Sequence, residues 1–382
     1  MFNFYEFFAG GGMARAGLGT DWACLFANDF DPKKGVTYER NWGKGAMVVD
    51  DLRNISPSDL QGTADLVWGS FPCQDLSVAG NGAGLKGNRS GTFWPFMALL
   101  AELKNDGRAP AMIALENVVG TLTSHQGTDF VAICSALKDL GYRFGAVVVD
   151  AASFLPQSRA RLFVIAVRED LAVTCTSSGP QKRWHTTALK RAHAQLPKKL
   201  NKSWIWWDMP EPAKREMRFA DVIEEKPKCV KWHTATETRA LLSMMSDVNL
   251  AKVETAKAAG VRMVGGLYKR TRLHHGIKVQ RAEVRFDDIA GCLRTPGGGS
   301  SRQLILVVEG DKIRSRLLSA RETARLMGLP DSYVLPAVYN EAYHLTGDGV
   351  AVPVVSYIAR HILEPNLLAQ VAVEDPKNHS AQ

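Results

Sequence analysis

The sequence predicts an α/β protein: a doubly wound, mostly parallel sheet with a smaller domain inserted into it. Three observations carry that reading. Short apolar runs alternate with helical patterns from the N-terminus to about residue 168, as βαβ units do. The runs are apolar enough to suit parallel strands covered on both faces. From about residue 170 to 312 the rhythm changes, punctuated by Pro180, Pro197, Pro210, Pro212 and Pro227, and regular patterning then returns.

In chain order, strands are expected at "NFYEFF" (3–8), "WACLFAN" (22–28), "ADLVWG" (64–69), "AMIALEN" (111–117), "FGAVVVD" (144–150) and "RLFVIAV" (161–167). A further strand would precede "DDLRNI". Helices are expected at 91–105 and 127–142, the second stopped by Gly141. In the middle segment, one long helix is expected over 236–260, ending at Gly260, and "CLRTPGGGSSRQLILVV" (292–308) reads as a glycine-rich loop entering a strand. Ser319 with Glu322 three residues on is a helix-opening capping box, and "GVAVPVVSYIARHIL" (349–363) reads as another helix. Residues 366–382 are polar and expected to fray.

The chain has 382 residues, 46% hydrophobic and 23% charged. No run is apolar enough to span a membrane, and no basic-then-apolar leader precedes the first motif, so a cytoplasmic protein is expected. The cysteines (Cys24, Cys73, Cys134, Cys175, Cys229, Cys292) form no close pairs, which argues against a zinc site and against a disulfide framework. The net charge of +8 points to a polyanionic partner. Lys182, Arg183, Lys190, Arg191, Lys198, Lys199 and Lys202 crowd 181–202 without one acidic residue. A second cluster holds Arg262, Lys269, Arg270, Arg272, Lys278 and Arg281, with His274 and His275 between. Interleaved Trp184, "WIWW" (204–207) and Tyr268 favour nucleic acid.

Several strand ends carry candidate chemistry. "FFAGGG" (7–12) follows the first strand and enters a helix, where glycines let a ligand approach the backbone. It matches neither a dinucleotide fingerprint nor a P-loop. Asp29 ends the second strand, where an acid accepts from ribose hydroxyls. Phe30 can stack on an adenine, and Asp51, past a third strand, can accept from an exocyclic amine. An adenosine without phosphates suits this set. "WGSFPCQDLS" (68–77) puts Cys73 just past a buried strand, at a turn, where a thiol is exposed rather than packed as a small hydrophobe.

In order, the chain carries "FFAGGG", "GSFPCQDLS", "ENV" (116–118), "QSRAR" (157–161), "RETARLMGLPDSY" (321–333) and "GDGVAVPVV" (347–355). These resemble the blocks of the bacterial-type DNA (cytosine-5-)-methyltransferase family, over residues 1–170 and about 313–365. The resemblance implies a Rossmann-like S-adenosylmethionine-dependent fold, with a catalytic domain formed by 1–169 and 313–365, a target recognition domain at 170–312 and a flexible tail at 366–382. It implies that Cys73 adds to carbon 6 of a cytosine flipped out of duplex DNA, activating carbon 5 for methylation. Glu116 would hold nitrogen 3 and the exocyclic amine, Arg161 the carbonyl oxygen, and Arg159 would brace Glu116 or the pocket. The cofactor would be held by Phe8, Gly10, Gly11, Gly12, Asp29, Phe30, Asp51, Leu52, Phe93, Asp348 and Gly349, with no metal. A monomer acting on DNA is implied, in the setting of a restriction–modification system; the sequence carries no mark of a partner endonuclease. The chain departs from the family pattern in three places: Glu6 for a usual Asp, Asp348-Gly349 for Asn-Ser or Asn-Ala, and Cys292 for a threonine. The rivals are the same chemistry on transfer RNA and a binding-only member. The Cys-Phe-Thr triplet usual in the RNA branch is not in the middle segment, and a pure binder needs no nucleophilic thiol.

Overall fold

The computed structural model describes residues 1–72, 92–274, 276–295 and 302–374. Residues 73–77 of the Cys73 block, His275, the glycines at 297–299 and residues 375–382 lie outside the described residues. The chain forms two compact units: Met1–Val149, Ala160–Pro212 and Val352–Gln382 make the first, Asp150–Arg159 and Ala213–Ala351 the second.

The first unit is built on strands β1 (Phe2–Phe7), β2 (Trp22–Asp29), β3 (Met47–Val49), β4 (Leu66–Gly69), β5 (Met112–Val118), β6 (Tyr142–Asp150) and β7 (Ala160–Arg168). They form one seven-stranded sheet in the order β3-β2-β1-β4-β5-β7-β6. Pairings among β1 to β5 are parallel, and β7 runs antiparallel to β5. The expected strands are all present. Their apolar runs bury on both faces, with Tyr5, Phe7, Val67, Ile113 and Val164 in one large core cluster. The chain winds outward from β1 to β3, then restarts at β4 on the other side of β1. Ligands in open parallel sheets sit beyond the strand ends at such a reversal. Here those ends lead into Gly10–Gly12 and into Ser70-Phe71-Pro72.

Three expected boundaries, at residues 170, 313 and 366, do not match the compact units. The stretch 184–207 belongs to the first unit because it covers the free edge of β6. Phe144 N–H donates to the Ser203 carbonyl at 2.9 Å, Ile205 N–H to Phe144 at 2.7 Å, and Val148 N–H to Trp184 at 2.8 Å. A Cβ on Gly145 would meet the Ile205 carbonyl at 2.0 Å, so only glycine permits this approach. Exposed edge backbone invites wrong pairing, and this segment satisfies it. The boundary expected at residue 170 therefore gives way to one at Pro212. The tail expected from 366 is also corrected: the helix Glu364–Glu374 continues from Val352–Ile358 through a π turn at Ala359–Leu363. Asn366 is buried and accepts from Thr174 N–H at 2.8 Å, which anchors the helix.

The second unit holds an antiparallel sheet in the order β11-β10-β8-β9, with β8 Met263–His274, β9 Ile277–Arg285, β10 Leu304–Glu309 and β11 Lys312–Leu317. Residues 313–351, expected in the catalytic domain, lie in this unit, since β11 pairs with β10. The long helix expected over 236–260 is two helices, Ala235–Ser243 and Asp247–Ala258. The break arises because the Met244 carbonyl leaves the helix ladder to accept Ala282 N–H at 3.1 Å. The Ser319–Glu322 capping box is present as expected. Its Glu322 also forms a two-pronged pair with Arg316, at 2.6 and 2.8 Å, with neither side chain exposed.

Removing one partner of such a pair strands a buried charge, at a cost of about 3–5 kcal/mol. Arg316→Met should destabilise the second unit by that order in urea denaturation. The double change Arg316→Met with Glu322→Leu should recover most of it. A double variant as unstable as the single would show that packing, not the orphaned charge, dominates.

Candidate active site

The loop after β1 is tightly specified. Phe8 takes a positive φ of 57°, unusual for a residue with a side chain. Gly10 and Gly12 follow with φ of 57° and 76°. A Cβ on Gly12 would lie 2.3 Å from the Trp42 indole nitrogen, which donates to the Gly11 carbonyl at 3.0 Å. Around Gly10, by contrast, the space a side chain would occupy is open, so the backbone there can be approached closely.

A buried network props this loop from below. Glu6 on β1 accepts from Tyr38 hydroxyl at 3.3 Å and from Arg15 N–H at 3.4 Å. The Arg15 guanidinium donates to Tyr38 at 3.2 Å and lies over the Trp42 ring at 5.1 Å. Burial pushes the Glu6 carboxyl up to about 8 and, with the Glu6 charge, the Cys24 thiol up to about 12. Glu6 is therefore largely protonated at neutral pH, which suits its burial.

Beyond β2, Asp29 is nearly buried and both its oxygens receive backbone donors, Gly10 N–H at 2.8 Å and Asp31 N–H at 2.9 Å. Burial raises its pKa. A carboxylate has about four acceptor sites, so capacity remains for hydroxyl donors. Phe30 is 75% exposed, a large apolar face left to solvent beside that carboxylate. Asp51 caps the turn Leu52–Asn54 and pairs with Arg53 at 2.6 Å, and hydrogen bonds from Arg53 lower its pKa. Leu52 is buried in the core cluster. Phe93, expected at the cofactor, has no exposed surface and packs on Phe71 at 5.2 Å. It backs the strand end rather than lining an open pocket.

On the other side of the reversal, Glu116 and Arg161 pair at 3.1 Å between Nε and a carboxylate oxygen. The antiparallel register sets Glu116 opposite Phe163, so Arg161, two residues away, is its diagonal neighbour on the same face. Both side chains are mostly buried. Asn117, buried between them in sequence, donates to the Phe71 carbonyl at 3.2 Å and accepts Val118 N–H at 2.8 Å. It ties β5 to the backbone two residues before Cys73. Asn28 does the same on the opposite flank, donating to Val48 and Asp50 carbonyls at 3.1 and 3.0 Å. Sequence reasoning missed both asparagines; the only signal was an amide next to a strand-end acid.

Arg159 and the C-terminal motif residues lie in the second unit. The Arg159 guanidinium donates to the carbonyls of Leu293 at 2.9 Å, Gly347 at 3.0 Å and Gly349 at 2.6 Å, and to the Cys292 sulfur at 3.5 Å. Gln157, fully buried and also missed, accepts Leu293 N–H at 3.1 Å and donates to the Leu326 carbonyl at 2.6 Å. Three separated motif blocks therefore meet on these two side chains. Asp348 accepts from the Thr295 hydroxyl.

A family model for C-5 cytosine-specific DNA methylases matches residues 2–364. The chain belongs to that family. It is 25% identical over 383 residues to Type II methyltransferase M.HpaII of Haemophilus parainfluenzae, covering 95% of this chain and 89% of the relative. Against M.HhaI of Haemophilus parahaemolyticus it is 24% identical over 362 residues, covering 94% of each. Among solved structures it resembles S. pombe Dnmt2 methyltransferase with a TM-score of 0.58 at 18% identity, covering 96% and 99% of the two chains. A putative DNA modification methyltransferase from an E. coli prophage gives 0.56 at 17% identity, with 96% and 99% covered. These likenesses establish the shared fold, a parallel-sheet methyltransferase core with a separate antiparallel sheet. The methylase family uses S-adenosylmethionine. The residues fit its adenosine: an open glycine backbone, a carboxylate with spare acceptor sites and an exposed ring beside it. No helix among the described residues is long and apolar enough to cross a membrane, and no group of metal ligands occurs among them.

Glu6 yields a pH test. The folded protein keeps the Glu6 proton up to about 8, whereas a glutamate exposed to water loses it near 4.5. The native state thus binds more protons in that window, so stability falls as pH rises through it and levels off above. Glu6→Gln, uncharged throughout, should flatten this part of the profile in urea denaturation series. An identical slope in the variant would show that Glu6 titrates normally.

Proposed function

We propose that this methylase acts on duplex DNA through Cys73 as nucleophile, with Glu116 and Arg161 holding the target cytosine. The observation that carries the reading is the Glu116–Arg161 pair on adjacent strands, beside the Asn117 bond to the Phe71 carbonyl. Carbon 5 of cytosine is a weak nucleophile. Addition of a thiolate to carbon 6 makes the ring an enamine whose carbon 5 is reactive. Pro72 and the Asn117 bond restrict the backbone leading to Cys73, which favours a fixed line of attack. Glu116 accepts from the exocyclic amine and, carrying a proton, donates to nitrogen 3 as electron density moves onto the ring. Arg161 stays charged, orients Glu116 and offers further donors to the carbonyl oxygen. Such a base is reached only by flipping it from the stack.

S-adenosylmethionine supplies an electrophilic methyl group when bound. Gly10, Gly11 and Gly12 would face it with backbone, Asp29 would accept from its ribose, Phe30 would cover its adenine, and Asp51 would accept from its amine. Phe8 at its strained turn would wall that pocket, with Leu52 and Phe93 packing behind. In the second unit, Arg159 holds the Gly347 and Gly349 carbonyls and thereby shapes the turn that presents Asp348 and Gly349. Arg159 acts here as a positioning residue. A monomer working in the cytoplasm within a restriction–modification system is the setting we favour.

Two measurements test this. Asp29→Ala should weaken S-adenosylmethionine binding by the worth of a charge-assisted hydrogen bond, about 1.5–3 kcal/mol, while leaving DNA affinity nearly intact. Unchanged calorimetric binding of the cofactor would remove Asp29 from the site. With 5-fluorocytosine at the target, methyl transfer proceeds but fluorine cannot leave as a cation, so elimination of the thiol is blocked. The enzyme should stay covalently attached to DNA, in a cofactor-dependent manner, at Cys73. Cys73→Ser should abolish trapping, because a hydroxyl is far less ionised, and Cys292→Ser should still trap. Mass spectrometry mapping the adduct to another cysteine would overturn the assignment, and labelling of transfer RNA in place of duplex DNA would overturn the substrate.

A further inference from the structure

We infer that residues 181–202 form a second, sequence-independent DNA-binding surface, one that grips the phosphate backbone from the first unit and not from the recognition segment. This rests on the duplex-DNA reading above. The chain carries a net charge of +8, and this stretch alone contributes Lys182, Arg183, Lys190, Arg191, Lys198, Lys199 and Lys202 with no acidic residue. The structure fixes it rigidly: Leu189, Ala192, Leu196 and Leu200 join the main core cluster, which leaves the basic side chains on the solvent face.

The contrast with the other basic cluster decides where the unbalanced charge resides. In the second unit Arg262 pairs with Glu225 and Glu309, and Arg270 and Arg272 both pair with Glu283. Three of that cluster's six cations are thus paired with acids of the same unit, Arg270 and Arg272 on one carboxylate. Among the described residues Lys190, Arg191, Lys198, Lys199 and Lys202 form no ion pair, and Arg183 approaches Glu211 only to 4.0 Å. Side chains that need no internal partner are free to neutralise phosphates, which release condensed counterions on contact. The flanking aromatic packing of His193 with Trp204 and Trp206, at 4.9 and 4.5 Å, holds the helix Thr187–Ala194 in place. The result is a firm cationic platform and not a loose tail.

The test uses the full chain and duplex oligonucleotides with and without the methylated sequence. Lys198→Gln/Lys199→Gln/Lys202→Gln should make the log–log salt dependence of binding shallower by about two to three, since each phosphate contact contributes about 0.9. Affinity should fall alike for both duplexes, and cofactor binding and the melting temperature should not change. Lys190→Gln/Arg191→Gln on the neighbouring helix should act in the same direction. An unchanged salt slope in both variants would sink the proposal. So would a loss confined to the methylated sequence, which means base reading. Methyl transfer by the unmodified protein to duplex DNA in the same buffer tests the underlying reading separately.

Discussion

Parallel strands that stop at the same level leave their last carbonyls and amides without ladder partners, and the active-site side of this molecule depends on how those ends are joined. Two buried asparagines do it. Asn28 ties the end of β2 to the end of β3 through the Val48 and Asp50 carbonyls, and Asn117 ties β5 to the Phe71 carbonyl beyond β4. A buried amide that loses its partner costs about 1–3 kcal/mol, so each asparagine holds its two strand ends in register. Each also neighbours an acid proposed to touch a ligand, Asp29 in one case and Glu116 in the other. The two carboxylates proposed to meet ligands thus each adjoin a residue that fixes its strand end.

The same division of labour recurs in the loop after β1 and in the second unit. Trp42 and Tyr38 leave no room for a side chain at Gly12, Trp42 holds the Gly11 carbonyl, and Arg15 and Glu6 brace Tyr38, while the backbone at Gly10 stays open. In the second unit Arg159 collects three carbonyls from two chain segments, and Gln157 bonds two more backbone groups. A guanidinium with donors in a fixed plane is suited to that task. Residues whose motif membership suggests chemistry can act on the backbone that carries the chemistry.

Much of this was legible in the sequence. Strand ends, the order of the motif blocks and the Ser319 cap follow from local pattern and spacing. The resemblance implied that Arg159 braces Glu116 or the pocket, whereas it is Arg161 that pairs with Glu116, and Arg159 bonds backbone carbonyls of the second unit. What escaped depends on tertiary register. Nothing local says that Asn117 reaches Phe71, or that Trp184 to Trp207 lie along β6, because those partners are remote in the chain. The break at Met244 escaped for the same reason: its helical periodicity is intact, and only the competing bond from Ala282 ends the helix. Phe93, expected at the cofactor, is fully buried against Phe71, a packing that its neighbours in sequence do not announce.

The departures from the family pattern acquire a physical account from the second unit. An aspartate in place of asparagine at 348 adds a negative charge, yet one of its oxygens is occupied by the Thr295 hydroxyl. A threonine can donate to a carboxylate as readily as to an amide oxygen, so the turn keeps its hydrogen bond although the charge changes. Cys292, in place of threonine, turns its sulfur toward the Arg159 guanidinium at 3.5 Å and its S–H toward the Leu293 carbonyl at 3.4 Å. Sulfur is a weak acceptor, and the carbonyl bonds of the same guanidinium are shorter. Losing the hydroxyl therefore leaves the anchoring of the 292–295 turn with the arginine. Both exchanged side chains bond at the margins of a network whose backbone contacts Arg159 and Gln157 make.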